Sequence, residues 1–205
     1  MKWIRPVTNS PEQTMPQYSI DQDGVITGAD FTSSPNHDAR PEGATISMIV
    51  IHNISLPPGE YGGPGITELF TNKLDPAAHP YYATIHELRV SAHFLIRRDG
   101  ALQQFVPCEA RAWHAGVSTW QGQERCNDFS IGIELEGSDS EAFTPAQYIV
   151  LTALAESLCK HYPIRDIVGH SDIAPGRKTD PGPHFDWQRL AQLKASSAQN
   201  PTKSV

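Results

Sequence analysis

The chain has little sulfur, no long apolar run and no excess of positive charge. Its three cysteines, Cys108, Cys126 and Cys159, stand at unrelated spacings without a CxxC pair. That argues against a disulfide framework and against a closed thiolate metal cage, and it predicts reduced thiols. No stretch approaches the length of a membrane span. The first ten residues include Lys2 and Arg5 but no apolar segment follows them, as it would in a secretory leader, so a cytoplasmic protein is expected. The formal net charge of −7 argues against broad electrostatic binding to nucleic acid or anionic membranes. An anionic substrate would therefore need a local basic patch. Internal repeats are missing, and so is a linker long enough to divide the chain. What remains is 205 residues, enough for one well-buried soluble domain.

Read in order, residues 1–17 are rich in Pro, Gln, Asn and Thr and suggest a mobile extension, with the domain spanning 18–195 and a polar tail over 196–205. The run Ile46–Ile51 predicts a strand buried on both faces, ending at His52-Asn53. The following Leu56–Gly65 segment has too many prolines and glycines for regular structure, and a helix is expected over Ile66–Leu74. Val90–Ile96 and Leu102–Val106 flank Asp99-Gly100, a strong hairpin signal. Arg111–Gly116 reads as a compact loop. Phe129–Glu136 predicts a strand with Phe129, Ile131, Ile133 and Leu135 on one face and Ser130, Gly132, Glu134 and Glu136 on the other. Thr144-Pro145-Ala146-Gln147 carries an N-cap, a proline at the first helical position and a capping box. It opens a helix whose buried stripe is Ile149, Leu151, Leu154 and Leu158, and Tyr162-Pro163 ends it. A last helix is expected over Trp187–Lys194. The order predicts a single α/β domain with a mixed central sheet flanked by helices.

The stretch Asp166–Pro183 carries the densest chemistry. An apolar pair, Ile167 and Val168, delivers His170 to a loop that holds Lys178 and Asp180 and is punctuated by Pro175, Gly176, Pro181 and Gly182. His52 likewise follows an apolar run. Two imidazoles and a carboxylate with an open fourth position form a catalytic zinc arrangement. Asp172 rivals Asp180 on spacing, and His93 and His114 are further candidates with core or outer-shell roles as the simpler reading. A hydrolase also needs a base and a cation or donor for the developing oxyanion. Glu134 and Glu136 are candidates for the first, Lys178 for the second.

Several ordered strings then carry a resemblance: Ile51–Glu60, Val90–His93, Arg111–Gly116, Cys126–Gly137, Gly169–Pro175 and Arg177–Gly182. Over about Ser33–Leu190 the chain closely resembles the AmpD-type 1,6-anhydro-N-acetylmuramyl-L-alanine amidases. The resemblance implies a zinc amidase of cytoplasmic peptidoglycan recycling and β-lactamase regulation, acting as a monomer on a soluble anhydromuropeptide. It implies His52, His170 and Asp180 as zinc ligands, which places Asp180 ahead of Asp172. Glu134 then matches the acid/base and Lys178 the transition-state stabiliser. Asn53 and Trp113 match positions lining the sugar, and Arg89 and Arg125 match positions that meet the stem peptide, where guanidinium forks suit carboxylates. Two alternatives are an amidase of intact peptidoglycan and a non-catalytic muropeptide-binding module. The missing leader and wall-binding segment weigh against the first, and the complete catalytic set against the second.

Overall fold

Parallel pairing of two seven-residue strands forms the middle of the structure. The computed structural model describes residues 15–191 and 193, so the expected tail and all but the last few residues of the expected N-terminal extension lie outside the described residues. The strands are β1 (Asp30–Phe31), β2 (His37–Ala39), β3 (Met48–Ile54), β4 (Phe94–Ile96), β5 (Leu102–Gln104), β6 (Ala110–Ala112), β7 (Thr119–Trp120), β8 (Gln123–Glu124), β9 (Ser130–Glu136) and β10 (Asp166–Gly169). The α-helices are α1 (Gly65–Phe70), α2 (Pro80–Ile85), α3 (Pro145–His161) and α4 (His170–Ile173). Six strands make a mixed sheet in the order β1-β5-β4-β9-β3-β10, parallel from β4 through β10 and antiparallel only between β4 and β5. This is the expected single α/β domain.

The two faces of the sheet differ in chemistry. Side chains alternate along a strand, so Ile49 and Ile51 of β3 join Ile131, Ile133 and Leu135 of β9 beneath Leu151, Leu154 and Leu158 of α3. The Thr144 hydroxyl accepts from the Gln147 backbone N–H, and the Gln147 side chain accepts from the Thr144 N–H, closing the expected capping box. On the opposite face Met48 and Val50 pack with Ala115, Phe129 and Val168, and His52 continues their row. No helix among the described residues is long and apolar enough to cross a membrane.

The differences from the expected elements have identifiable causes. β3 begins at Met48 and continues to Ile54, so His52 and Asn53 lie inside the strand. The ladder to β9 extends through Asn53↔Leu135 and Ile54↔Glu136, and a polar side chain does not end it. Phe129 precedes β9, at the end of a 3₁₀ turn over Cys126–Asp128, and packs on the face opposite Ile131. Ala110–Ala112 is a strand, paired with β2, where a loop was expected. A two-pronged ion pair holds it, Arg111 Nε and Nη2 each 2.6 Å from an Asp38 oxygen, and a contact so distant in sequence leaves no local pattern. Ile149 is only half-buried, while Tyr148 and Val150 are buried. His170–Ile173 forms one helical turn, α1 stops at Phe70, and the expected last helix opens as a 3₁₀ turn over Trp187–Leu190 with Ala191 and Leu193 helical after it. Cys108 and Cys126 are buried thiols outside any disulfide.

Leu154 is fully buried between α3 and the sheet. Leu154→Ala should cost about 2–5 kcal/mol, the range for a truncation that leaves a cavity. Urea unfolding monitored by circular dichroism would show the midpoint fall at constant slope; a loss below about 1 kcal/mol would contradict the packing described.

Candidate active site

Strand register sets the first half of the site. His52 of β3 stands opposite Glu134 of β9, both on the face away from α3. The second half comes from the C-terminal end of β10, the part of an open parallel sheet where crevices form. β10 runs straight into α4, whose first residue is His170. The Gly169 N–H donates to Asp172 Oδ2 at 2.7 Å, so this carboxylate caps the helical turn. Farther along, the Ser171 N–H donates to the Asp180 carbonyl at 2.9 Å and folds the loop back, bringing the Asp180 side chain against His170.

Three donor atoms meet there. His52 Nδ1, His170 Nδ1 and Asp180 Oδ2 stand 3.0 Å apart in every pairing. Both imidazoles are buried, with 1% and 3% exposure. Burial holds the His52 imidazole down at about 4. Burial would raise the Asp180 carboxyl, but the two imidazoles facing it hold it below the ordinary carboxylate range. At neutral pH the His52 imidazole is therefore neutral and the Asp180 carboxylate negative. His170 Nε2 lies 3.0 Å from the Ala115 carbonyl, which can only accept. A neutral His170 therefore carries its proton on Nε2 and its lone pair on Nδ1. Three lone-pair donors so close repel one another unless a cation lies among them. Their spacing is near the ~3.3 Å edge of a tetrahedron with zinc–ligand bonds of about 2.0–2.1 Å, and nitrogen with carboxylate oxygen suits that ion. No other group of three potential ligand residues converges this way among the described residues.

Glu134 is 9% exposed, and its Oε2 has no hydrogen-bond partner among the described residues. Burial first, then the nearby Asp180 charge, pushes its carboxyl well above the ordinary range, partly offset by the Lys178 ammonium. An unpartnered carboxylate oxygen in a buried cleft is costly and is characteristic of a working group. Glu136, the alternative, is fully engaged: it accepts from Arg97 Nη1 at 2.9 Å, the Arg98 N–H at 3.1 Å and the Gly62 N–H at 2.7 Å. It thereby pins the Leu56–Gly65 loop to β9. Lys178 is exposed on the loop between His170 and Asp180, with its charge felt at both Glu134 and His52.

The remaining candidates are more dispersed. Asn53 donates from Nδ2 to Asp139 Oδ1 at 2.6 Å. Trp113 is half-buried, its backbone N–H on Ser91 Oγ at 3.0 Å. Arg89 is exposed and donates to the carbonyls of His86 and Leu88 in its own turn. Arg125, also exposed, has φ +61° and pairs with Asp128 at 3.1 Å. Neither arginine hydrogen-bonds to the His52–His170–Asp180 group or to Glu134.

Two side chains near the site carried no sequence signal. Asp139 bridges to Asn53 from a Gly-Ser-Asp-Ser loop that looks like any turn. Arg177 donates from Nη2 to the carbonyls of Ala115 and Val117, at 2.7 and 2.6 Å, and so braces the segment that orients His170. His114 lies 2.9 Å from His52 Nε2 through its own Nδ1, and burial holds it well below the ordinary imidazole range.

Known proteins share this arrangement of sequence and fold. The family described as N-acetylmuramoyl-L-alanine amidase matches residues 42–183. The 1,6-anhydro-N-acetylmuramyl-L-alanine amidase AmpD of Escherichia coli (strain K12) is 58% identical over 174 residues, covering 84% of this chain and 95% of that protein. A crystal structure of a selenomethionine AmpD derivative is similar with TM-score 0.82 and 58% identity, over 85% of this chain and 98% of that one. The amidase AmiD of E. coli, solved with the substrate anhydro-N-acetylmuramic acid-L-Ala-D-γ-Glu-L-Lys, shows TM-score 0.53 and 32% identity, over 84% of this chain and 64% of that one.

The geometry separates the two rival aspartates. Asp180→Ala should lower zinc affinity by more than about 10²-fold, since even outer-shell changes cost 10–100-fold. Asp172→Ala, which removes only a helix cap, should still bind one zinc per chain. Competition with a chromophoric chelator reads both, and the reverse order of losses would contradict the assignment.

Proposed function

The chain belongs to the N-acetylmuramoyl-L-alanine amidase family, and from that premise we propose that it is a zinc-dependent 1,6-anhydro-N-acetylmuramyl-L-alanine amidase. Its substrate is a soluble anhydromuropeptide, and the bond cut is the amide between the lactyl group of 1,6-anhydro-N-acetylmuramic acid and L-alanine. It works as a monomer in cytoplasmic peptidoglycan recycling, upstream of β-lactamase regulation. The high identity to E. coli AmpD over nearly all of that enzyme supports this reading. So does the fold shared with AmiD, whose solved complex holds a ligand of this class.

His52, His170 and Asp180 hold the zinc. When bound, zinc supplies Lewis acidity toward water and toward the scissile carbonyl. Glu134 performs the proton transfers. Its Oε2 accepts a proton from the attacking water, and the same carboxyl then delivers that proton to the alanine nitrogen, which leaves as a neutral amine. A raised carboxyl affinity for protons suits both steps, because the group must hold the proton between them. Lys178 reaches in from its loop and donates to the oxygen on which negative charge develops. Asn53 and Trp113 line the sugar, and Arg89 and Arg125 meet the carboxylates of the stem peptide, each exchanging its present carbonyl or Asp128 partner for the ligand.

The observation that carries the reading is the juxtaposition of an unpartnered, buried Glu134 oxygen with the three converging donors. Glu134→Ala should retain zinc and lose about 10²-fold or more in kcat, the usual scale of general acid–base catalysis. Lys178→Ala should also keep the metal and lower kcat more than it raises KM. Mass-spectrometric detection of peptide released from anhydromuropeptide, with intact sacculi as a parallel substrate, makes both measurements. Near-normal turnover by Glu134→Ala would refute its role, and faster release from sacculi than from soluble substrate would refute the substrate assignment.

A further inference from the structure

We propose that His114 is a positioning residue that fixes the tautomer of His52, so that His52 Nδ1 faces the metal site with a lone pair. The inference rests on the metal-binding reading of His52, His170 and Asp180, and it concerns how the first of these is prepared for its task.

The argument follows protons along a chain of contacts. His52 Nε2 stands 2.9 Å from His114 Nδ1, His114 Nε2 stands 3.1 Å from Ser130 Oγ, and Ser130 Oγ stands 2.6 Å from the Cys126 carbonyl. A carbonyl can only accept. The Ser130 hydroxyl proton must therefore lie toward Cys126, because two oxygens 2.6 Å apart with no proton between them repel. Ser130 Oγ is then left to accept, and the proton it accepts is on His114 Nε2. Neutral His114 consequently presents a lone pair at Nδ1, and the proton in the next contact belongs to His52 Nε2. His52 Nδ1 is left bare. Direction is imposed from the far end of the chain, three contacts from the metal site.

The two ligand histidines are thus prepared in different ways. His170 donates Nε2–H to a backbone carbonyl, an acceptor that no substitution can remove. His52 donates to a side chain whose own tautomer has to be set. Without that control the imidazole of His52 could place its proton on Nδ1, between itself and Asp180 Oδ2 at 3.0 Å, where it would block the metal.

The backbone is shaped to admit this relay. A Cβ on Gly132 would lie 2.5 Å from His114 Cγ and 2.6 Å from its Nδ1, so a residue without a side chain is required directly beneath the ring. Asn127 Oδ1 accepts from the N–H groups of His114 and Ala115 at 3.2 and 2.8 Å, holding the segment in place. Simple packing would need neither the polar terminus at Ser130 nor the alignment of both His114 nitrogens.

The test uses the chelator-treated protein and long-range ¹H–¹⁵N correlation of its imidazoles, with zinc affinity measured separately by chelator competition. Wild type should show His52 and His114 both protonated at Nε2. His114→Phe, which keeps the ring volume but neither nitrogen, should populate the Nδ1–H form of His52 and weaken zinc binding by about 10–100-fold, the range for outer-shell changes. His114→Gln can accept from His52 and donate to Ser130, and it should recover most of the affinity. Ser130→Ala, a smaller change that keeps the fold if His114→Phe does not, should shift the His52 tautomer in the same direction. An unchanged tautomer and zinc affinity within twofold of wild type in either His114→Phe or Ser130→Ala would overturn the proposal. Equal losses in His114→Phe and His114→Gln would also overturn it, by assigning His114 to packing. A wild type that bound no zinc would refute the metal reading itself, while the tautomer spectra would still report whether the relay exists.

Discussion

The register between β3 and β9 is the constraint on which the rest depends. Met48↔Ser130 through Ile54↔Glu136 is an unbroken parallel ladder, and it places His52 beside Glu134. Because side chains alternate, a slip of one residue in either strand would carry its polar row to the α3 side and its isoleucines to the other. The register is secured by the apolar row: Ile49, Ile51, Ile131, Ile133 and Leu135 are all fully buried under α3. Burial of each isoleucine or leucine side chain contributes about 1.5–3 kcal/mol. The hydrophobic face thus fixes, without contact, the positions of the groups on the chemical face.

That chemical face is expensive to maintain. It buries His52, Glu134, Glu136 and His170, and beside them His93. The cost is met in three different ways. Glu136 is satisfied by Arg97 and two backbone N–H groups and serves the loop. Burial keeps His52 and His93 neutral, and the histidines have defined partners: His93 accepts the Gly132 N–H at Nδ1, and His170 donates to Ala115. Of these groups Glu134 keeps an oxygen with no partner among the described residues, and the strain of that arrangement is what a proton carrier needs.

Much of this was legible in the residues. The capping box at Thr144, the Asp99-Gly100 hairpin and the apolar runs before His52 and His170 are local patterns, and the folded chain keeps them. The resemblance selected Asp180 and Glu134; in the fold Asp172 is engaged as a helix cap and Glu136 by three donors. What could not be read was long-range. The β2–β6 pairing rests on Asp38 and Arg111, 73 residues apart, and the Asp139–Asn53 bridge spans 86. The polar face of β9 would pass for a solvated one, yet every residue of that strand is buried. Gly132 gave no signal at all, since its meaning depends on a histidine brought over it by the fold.

The central claim is that His52, His170 and Asp180 hold one zinc beside Glu134. Diffraction from zinc-loaded crystals on both sides of the zinc absorption edge tests it most directly. The account predicts one anomalous peak per chain, within bonding distance of His52 Nδ1, His170 Nδ1 and Asp180 Oδ2, with the Glu134 carboxylate facing it unbound. A peak ligated through Asp172, through Glu134 or through an imidazole Nε2, or no peak at this cluster, would contradict it.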